Sequence, residues 1–538
     1  MKSIKNFIRI GFLLVVLLFT ALASIQLYQQ IGNREEQSKL NLYSLVPSSA
    51  SALLEVRNIS QLSRDVFLNL PKSSDFEQKY TVDDFLNLLL NSTDREQSNG
   101  VVKNMRLSIL KPILRDSLHN SSSLTNKLII SYHPTKKRTH HMFYFKTNNV
   151  SESFLTQFVQ QNYHTNFQPK INYYRGKKVL VYPLSQNNSY LTVYLGSSYI
   201  VFSRHLYLIR KMIDAMNDKN GLLFDPSFKT IYNTKSQNNS IVYVNMKKFQ
   251  EREQIIKENA HSCLAKWAIF NLELKRDNIY FTGVIKSDKN QKSDLFSVLH
   301  SQSHIKTLPT HLLPLSTVYF HHMSISNLNQ WEKLSKSTWT PKDKEFCAFL
   351  NKYSNHQACD IMMKEDSVHQ VVVIPMKKHF NIKQLMSLIP NYKFKENGLG
   401  VVSTSNVLDF FSGKNHFELP LPWYIKMVDN NLMCSTSAAL LKKYYSQIKE
   451  NAFLDYNVGY KHVVNQFEVS YQLLVVDCFS QTTVEGKSIV PLIPRSIVRS
   501  EILADNYNGA LQIDCQEGNA YANIVLASNR DWIPTTVK

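Results

Sequence analysis

The chain has 538 residues, with 62 Lys and Arg against 42 Asp and Glu and a formal charge of +20. Hydrophobic residues at 43%, aromatics at 11% and charged residues at 19% exclude a disordered or collagen-like chain. The length predicts two to four domains at roughly 100 to 200 residues each. Glycine and proline, at 14 and 17 residues, fall below their usual shares of about 7% and 5%, which disfavours folds that cradle phosphates in glycine-rich loops.

Lys2, Lys5 and Arg9 precede an uncharged, mostly apolar run from Ile10 to Leu27. That run is long enough to span a bilayer, and the basic flank keeps residues 1–9 in the cytoplasm. Ala21-Leu22-Ala23 has the small-x-small form of a cleavage site before Ser24, but the apolar run continues through Ile25 and Leu27, which favours an uncleaved anchor over a removed signal segment. A polar stalk, 28–41, follows. The expected topology is one span at 10–27 with the body outside the cytoplasm.

Next come Leu45 to Leu62, LVPSSASALLEVRNISQL, a turn and an apolar strand leading into a helical pattern, and a helix start at Thr81-Val82-Asp83-Asp84 before FLNLLL. Strands are predicted over Leu128–Tyr132 and Met142–Lys146, and a helix over Ser151–Gln160. In GSSYIVFSRHLYLIRKMIDAM a short strand precedes a helix with Leu206, Ile209, Ile213 and Met216 on one face and Ser203 as its cap. Strands follow at Ile241–Met246, Trp267–Lys275 and Asn278–Lys286, the last two joined by Arg276-Asp277 as a hairpin.

The same order then recurs. Residues 312–328, LLPLSTVYFHHMSISNL, repeat the opening turn, strand and helix lead. Strands at Asp360–Met363 and Val368–Pro375, a helix at Asn381–Ile389, and MVDNNLMCSTSAALLKKYYSQI follow. In that last segment Leu441, Tyr444, Tyr445 and Ile448 line a helix capped by Ser435 or Ser437. Final strands are predicted at Phe467–Val476, Ala510–Cys515 and Tyr521–Ala527. The fold class expected is α+β: two similar units from an internal duplication, 42–305 and 306–538, each an antiparallel-rich sheet with packed helices, after one N-terminal transmembrane helix.

The apolar anchor, VPSSASALLEVRNISQL, the strand-Ser-helix unit around GSSYIVFS, and WAIFNLELKRDNIYFTGVIKS with Gly283 near the end of its second strand resemble a family of uncharacterised membrane-anchored bacterial envelope proteins, a domain-of-unknown-function group typified in Bacteroidota. The resemblance covers most of the chain by pattern. It implies an envelope setting, with the chain in the bacterial inner membrane as a single-pass protein facing the periplasm. It implies no activity and no catalytic residues.

Chemical motifs are sparse. Gly398-Leu399-Gly400-Val401-Val402-Ser403 ends in Ser where a dinucleotide fingerprint needs Gly or Ala, and reads as a turn and strand. G-x-x-x-x-G-K-[ST], G-x-S-x-G and H-E-x-x-H do not occur. His300 and His304 are spaced i, i+4 but lack a third ligand, and read as surface histidines. The doublets His140-His141 and His321-His322 fall in strands, where neighbours face opposite ways and cannot share a metal. No cofactor, metal or catalytic residue is expected.

Cysteines at 263, 347, 359, 434, 478 and 515 contain no C-x-x-C. An exported body permits disulfides, and Cys347 with Cys359, closing a short loop, is the pair expected; buried free thiols are the alternative.

The positive charge is spread over short clusters, Lys136-Lys137-Arg138, Lys177-Lys178, Lys247-Lys248 and Lys377-Lys378, which suit a solvated face. Outside the cytoplasm it points to a membrane surface, an envelope protein or an anionic envelope polymer, and away from nucleic acid. The function expected is a non-enzymatic binding or scaffold protein of the envelope. Its rivals are an exported hydrolase with a site between the two units and a carrier of an apolar ligand, each of which requires a pocket the sequence does not specify.

Overall fold

Apolar runs such as LIISYHP (128–134) and YIVFS (199–203) form strands whose residues are buried almost throughout, because helices cover both faces of the sheet they join. The computed structural model describes residues 40–69, 127–135, 139–147, 150–163, 165–184, 190–234, 238–246, 248, 267–275, 278–286, 295–335, 338–364, 366–378, 385, 387, 393–395, 399–402, 405–412, 422–468, 470–478 and 507–528.

The first ten strands are β1 (Ala52–Val56), β2 (Leu128–Pro134), β3 (Thr139–Lys146), β4 (Lys170–Tyr174), β5 (Lys177–Pro183), β6 (Tyr190–Leu195), β7 (Tyr199–Ser203), β8 (Ser240–Asn245), β9 (Trp267–Lys275) and β10 (Asn278–Lys286). The second ten are β11 (Thr317–Ser324), β12 (Gln357–Met363), β13 (Asp366–Pro375), β14 (Lys393–Lys395), β15 (Leu399–Val402), β16 (Trp423–Val428), β17 (Asn431–Ser435), β18 (Leu473–Asp477), β19 (Tyr507–Gln516) and β20 (Asn519–Ser528). The helices are α1 (Ile59–Asn69), α2 (Glu152–Tyr163), α3 (Leu206–Asn217), α4 (Pro226–Tyr232), α5 (Leu295–His300), α6 (Leu328–Trp331), α7 (Pro341–Tyr353), α8 (Asn406–Phe411), α9 (Ala438–Lys449) and α10 (Val458–Val464).

Among the described residues all strand pairs are antiparallel and join twenty strands into one sheet. The first ten stand in the order β4-β5-β6-β7-β3-β2-β1-β8-β9-β10. The order continues as β20-β19-β18-β11-β12-β13-β17-β16-β15-β14. Read inward from its own end, each set of ten has the same order. Two-residue turns with both φ positive close three hairpins, at Arg175-Gly176, Asp429-Asn430 and Glu517-Gly518, a backbone that matches the right-handed twist of the strands they join.

Local details match too. Pro47 bridges Gly221 as Pro314 bridges Phe453, and the Leu222 and Leu454 amides donate to the Val46 and Leu313 carbonyls, both at 2.8 Å. Asp225 caps α4 and Asn457 caps α10. The serine ending β7 accepts from the His205 amide at 3.2 Å, and the serine ending β17 accepts from the Ser437 amide at 3.1 Å.

On one face of the first ten strands, α3 buries Leu208, Ile209, Met212 and Ile213 against Leu53, Ile129, Tyr144 and Val201. Each such side chain contributes about 1.5–3 kcal/mol. On the opposite face, α2 packs Leu155, Phe158 and Val159 in the core that includes Leu54, Ile130 and Phe202. The expected α3 stripe is thus shifted, with Leu206 and Met216 only partly buried.

The α+β class and the antiparallel sheet agree with the sequence reading. Ser203 does not cap α3; His205 holds that position and makes no side-chain cap, because the strand runs through Ser203 before the chain turns. Ser437 does cap α9, accepting from the Leu440 amide. The strand expected over Phe467–Val476 is confined to Leu473–Asp477, since α10 runs to Val464 and turns follow it. Among the described residues no helix is long and apolar enough to cross a membrane. The span at 10–27 and the helix start at 81–84 lie outside the described residues, as does most of the helix at 381–389.

Candidate functional site

Strand alternation and pairing gather histidines from three separate stretches of sequence at the start of α3. His133 on β2 lies directly opposite His140 on β3, so the two share a face. Met142 pairs with Ser203 between β3 and β7. Two residues further on, that register brings His140 to His205, and their Nδ1 and Nε2 atoms meet in a hydrogen bond. Their rings lie 3.7 Å apart, with Tyr207 5.9 Å from the first and 5.8 Å from the second. His141 turns to the other face and stacks edge-on with Tyr132 at 5.1 Å, as alternation requires.

His133 is 2% exposed and held on both ring nitrogens, with Ser49 Oγ 3.0 Å from Nδ1 and Ser131 Oγ 2.7 Å from Nε2. A neutral imidazole suits this, donating to one hydroxyl and accepting from the other. Its pKa is lowered to about 3, first by burial and then by the positive charges of His141, Lys248, Lys211 and His140. Lys211 and Lys248 bring positive charge to this end of the strands. Lys211 lies over the Tyr207 ring, 5.6 Å from its centre, and Lys248 Nζ donates to the Ser48 and Ala50 carbonyls. The N-terminus of α3 adds its partial positive charge without a side-chain cap from His205.

The matching position in the second ten strands is more conventional. Val371 pairs with Ser435 as Met142 pairs with Ser203, so His369 stands where His140 stands, but its Nδ1 is 2.9 Å from Thr436 Oγ1.

The other sequence candidates are apart. α5 ends at His300, so His300 and His304 do not share a helix face; His304 Nε2 is 2.7 Å from Asp514. His321 and His322 face opposite ways as expected, the first 3.5 Å from Asp360 and the second 2.9 Å from Tyr471 Oη. Burial lowers His321 to about 4 and His322 to about 3. Among the described residues no group of three or more His, Cys, Asp and Glu is placed to hold a metal.

Cys347 and Cys359 are both buried free thiols, so the expected disulfide is not formed. The sheet lies between them. Cys359 opposes His322 on β11 and faces Tyr444, Tyr460 and Tyr471. Cys347 sits on α7, which packs with α6 and α8, and α8 reaches His321 on the opposite face through the Phe411 backbone. A disulfide requires Cα atoms within about 7 Å, which a bond across a sheet does not allow.

The basic clusters at 136–138 and at Lys247 lie outside the described residues. Lys178 pairs with Glu152 at 2.7 Å, and Lys377 donates to the Lys352 carbonyl at 3.0 Å. The sequence reading missed His133 and His205 as partners of His140. The only signals were polar residues out of place, His in LIISYHP and His rather than Ser or Asp where the α3 cap falls.

A family model described as "Protein of unknown function (DUF3352)" matches residues 143–352, less than half of the chain, from within β3 to within α7. Of solved structures, crystal form III of TP0453 is 9% identical and covers 50% of this chain and 90% of its own, with a TM-score of 0.27. Crystal form I of TP0453 is 9% identical and covers 47% and 81%, with a TM-score of 0.26. No curated protein matches.

Proposed function

We propose that the chain is a membrane-anchored, extracytoplasmic binding protein of the bacterial envelope, non-enzymatic, with residues 42–305 and 306–538 as two copies of one α+β unit. Its ligand on this reading is an anionic envelope polymer, and the first unit carries the binding site. The convergence of His140 and His205 with Lys211 and Lys248 at the uncapped start of α3 supports this. The N-terminus of α3 offers backbone amide donors to a phosphate or carboxylate group, and Lys211 and Lys248 supply long-range attraction. The shared strand order supports the two-copy reading. The run at 10–27 supports the anchor, and an envelope location is consistent with the basic charge of +20.

The test is binding of inorganic polyphosphate to the purified chain at low and high salt, with neutral dextran as control. The His140→Gln, His205→Ser double variant should bind at least tenfold more weakly. The His369→Gln variant should bind as wild type does. Unchanged affinity in the double variant would remove the site, and equal loss in His369→Gln would mean that the anion is held elsewhere.

A further inference from the structure

The two sets of ten strands meet at β10 and β20, which pair from Asn278 opposite Ala527 to Lys286 opposite Asn519. The centre of that register is Thr282 opposite Asn523. Thr282 is the fifth residue of β10 and Asn523 the fifth of β20, each counted from the hairpin that begins its strand. The junction therefore has local two-fold symmetry, with its axis passing between equivalent positions. An isologous contact of this kind is the geometry of a symmetric dimer interface.

The same register applied to each strand against a copy of itself gives workable packing. In a β10–β10 pair Thr282 opposes Thr282, Phe281 opposes Gly283 and Ile279 opposes Ile285. In a β20–β20 pair Asn523 opposes Asn523, Ile524 opposes Ala522 and Leu526 opposes Ala520. On the face of the second pair that carries Ala520, Ala522, Ile524 and Leu526 a large side chain meets a small one each time, which keeps the volume a packed layer needs, while on the other face Val525 opposes Tyr521.

We infer that this junction is a self-recognition surface whose fitting partner is a second copy of the chain. Two chains exchange their internal β10–β20 pairs for one β10–β10 and one β20–β20 pair. The number of strand pairs is conserved, while the Tyr280 Oη–Gln466 and His462–Asn278 hydrogen bonds that cross the junction are given up along with the entropy of joining two chains, so the exchange grows with concentration. This goes beyond the anion-binding reading and does not depend on it.

The test uses single cysteine variants of the full chain, concentrated in mild denaturant, returned to buffer and oxidised with oxidised glutathione. Thr282→Cys and Asn523→Cys place a thiol opposite its own copy. Lys286→Cys places it opposite Asn278 and is the control. The expected result is at least a tenfold greater yield of disulfide-linked dimer from each on-axis variant than from Lys286→Cys. A yield from the on-axis variants no greater than that of the control would overturn the inference.

Discussion

Three fully buried histidines make stability depend steeply on pH in a window where carboxylates contribute little. His133 and His322 are lowered to about 3 and His321 to about 4, in each case chiefly by burial. In the unfolded chain each returns to about 6.5. As the pH falls the unfolded chain therefore takes up the proton first, so stability is full above 6.5 and is lost between 6.5 and the folded value. At pH 5 each residue has removed about 2 kcal/mol, and the three together about 6 kcal/mol. That is a large part of the 5–15 kcal/mol typical of a folded protein. Glu55, held below its usual range by Lys127 and by the Tyr43 hydroxyl, adds its loss only at lower pH. Urea unfolding followed by tryptophan fluorescence at pH 7.5, 6 and 5 should show the midpoint falling steadily. In His322→Gln the fall should be about one third smaller. A midpoint flat from pH 7.5 to 5, or an unchanged slope in the variant, would refute burial of these groups in neutral form.

Gly221→Ala should destabilise the chain by about 1–3 kcal/mol or more, because an added Cβ would lie 1.9 Å from the Ser44 carbonyl oxygen and push apart the Leu222–Val46 hydrogen bond; a thermal melt superimposable on wild type would contradict that approach. The five described cysteines are buried, so Cys347, Cys359, Cys434, Cys478 and Cys515 should react with a thiol reagent only after denaturation. A peptide joining Cys347 to Cys359 in a digest of the native chain would overturn their placement on opposite faces of the sheet.

Strand positions were legible where a strand is a short apolar run bounded by turn residues. Trp267–Lys275 and Asn278–Lys286 match the structure end to end, because the period-two pattern and the intervening turn are local properties. The repeated order of elements was also visible, since it is carried by order and spacing rather than by contacts. Boundaries set by capping were less so. Ser203 and Ser435 each support the turn into a helix two residues before its cap, and only the backbone path separates that role from the cap itself.

What the sequence determined by itself is the α+β class, the order of elements and the opposed facing of adjacent histidines in a strand, since these follow from local periodicity and steric preference. Beyond the hairpin of Trp267–Lys275 with Asn278–Lys286, which strand lies beside which was decided by the tertiary structure. Short spacing suggested a bond between Cys347 and Cys359, whereas the sheet runs between them. His133 and His140 face each other across the β2–β3 hairpin, but His205, 65 residues beyond His140, meets it only because β3 also pairs with β7. Register over such distances reflects the burial of whole faces at once, a cooperative quantity that no local stretch of residues contains.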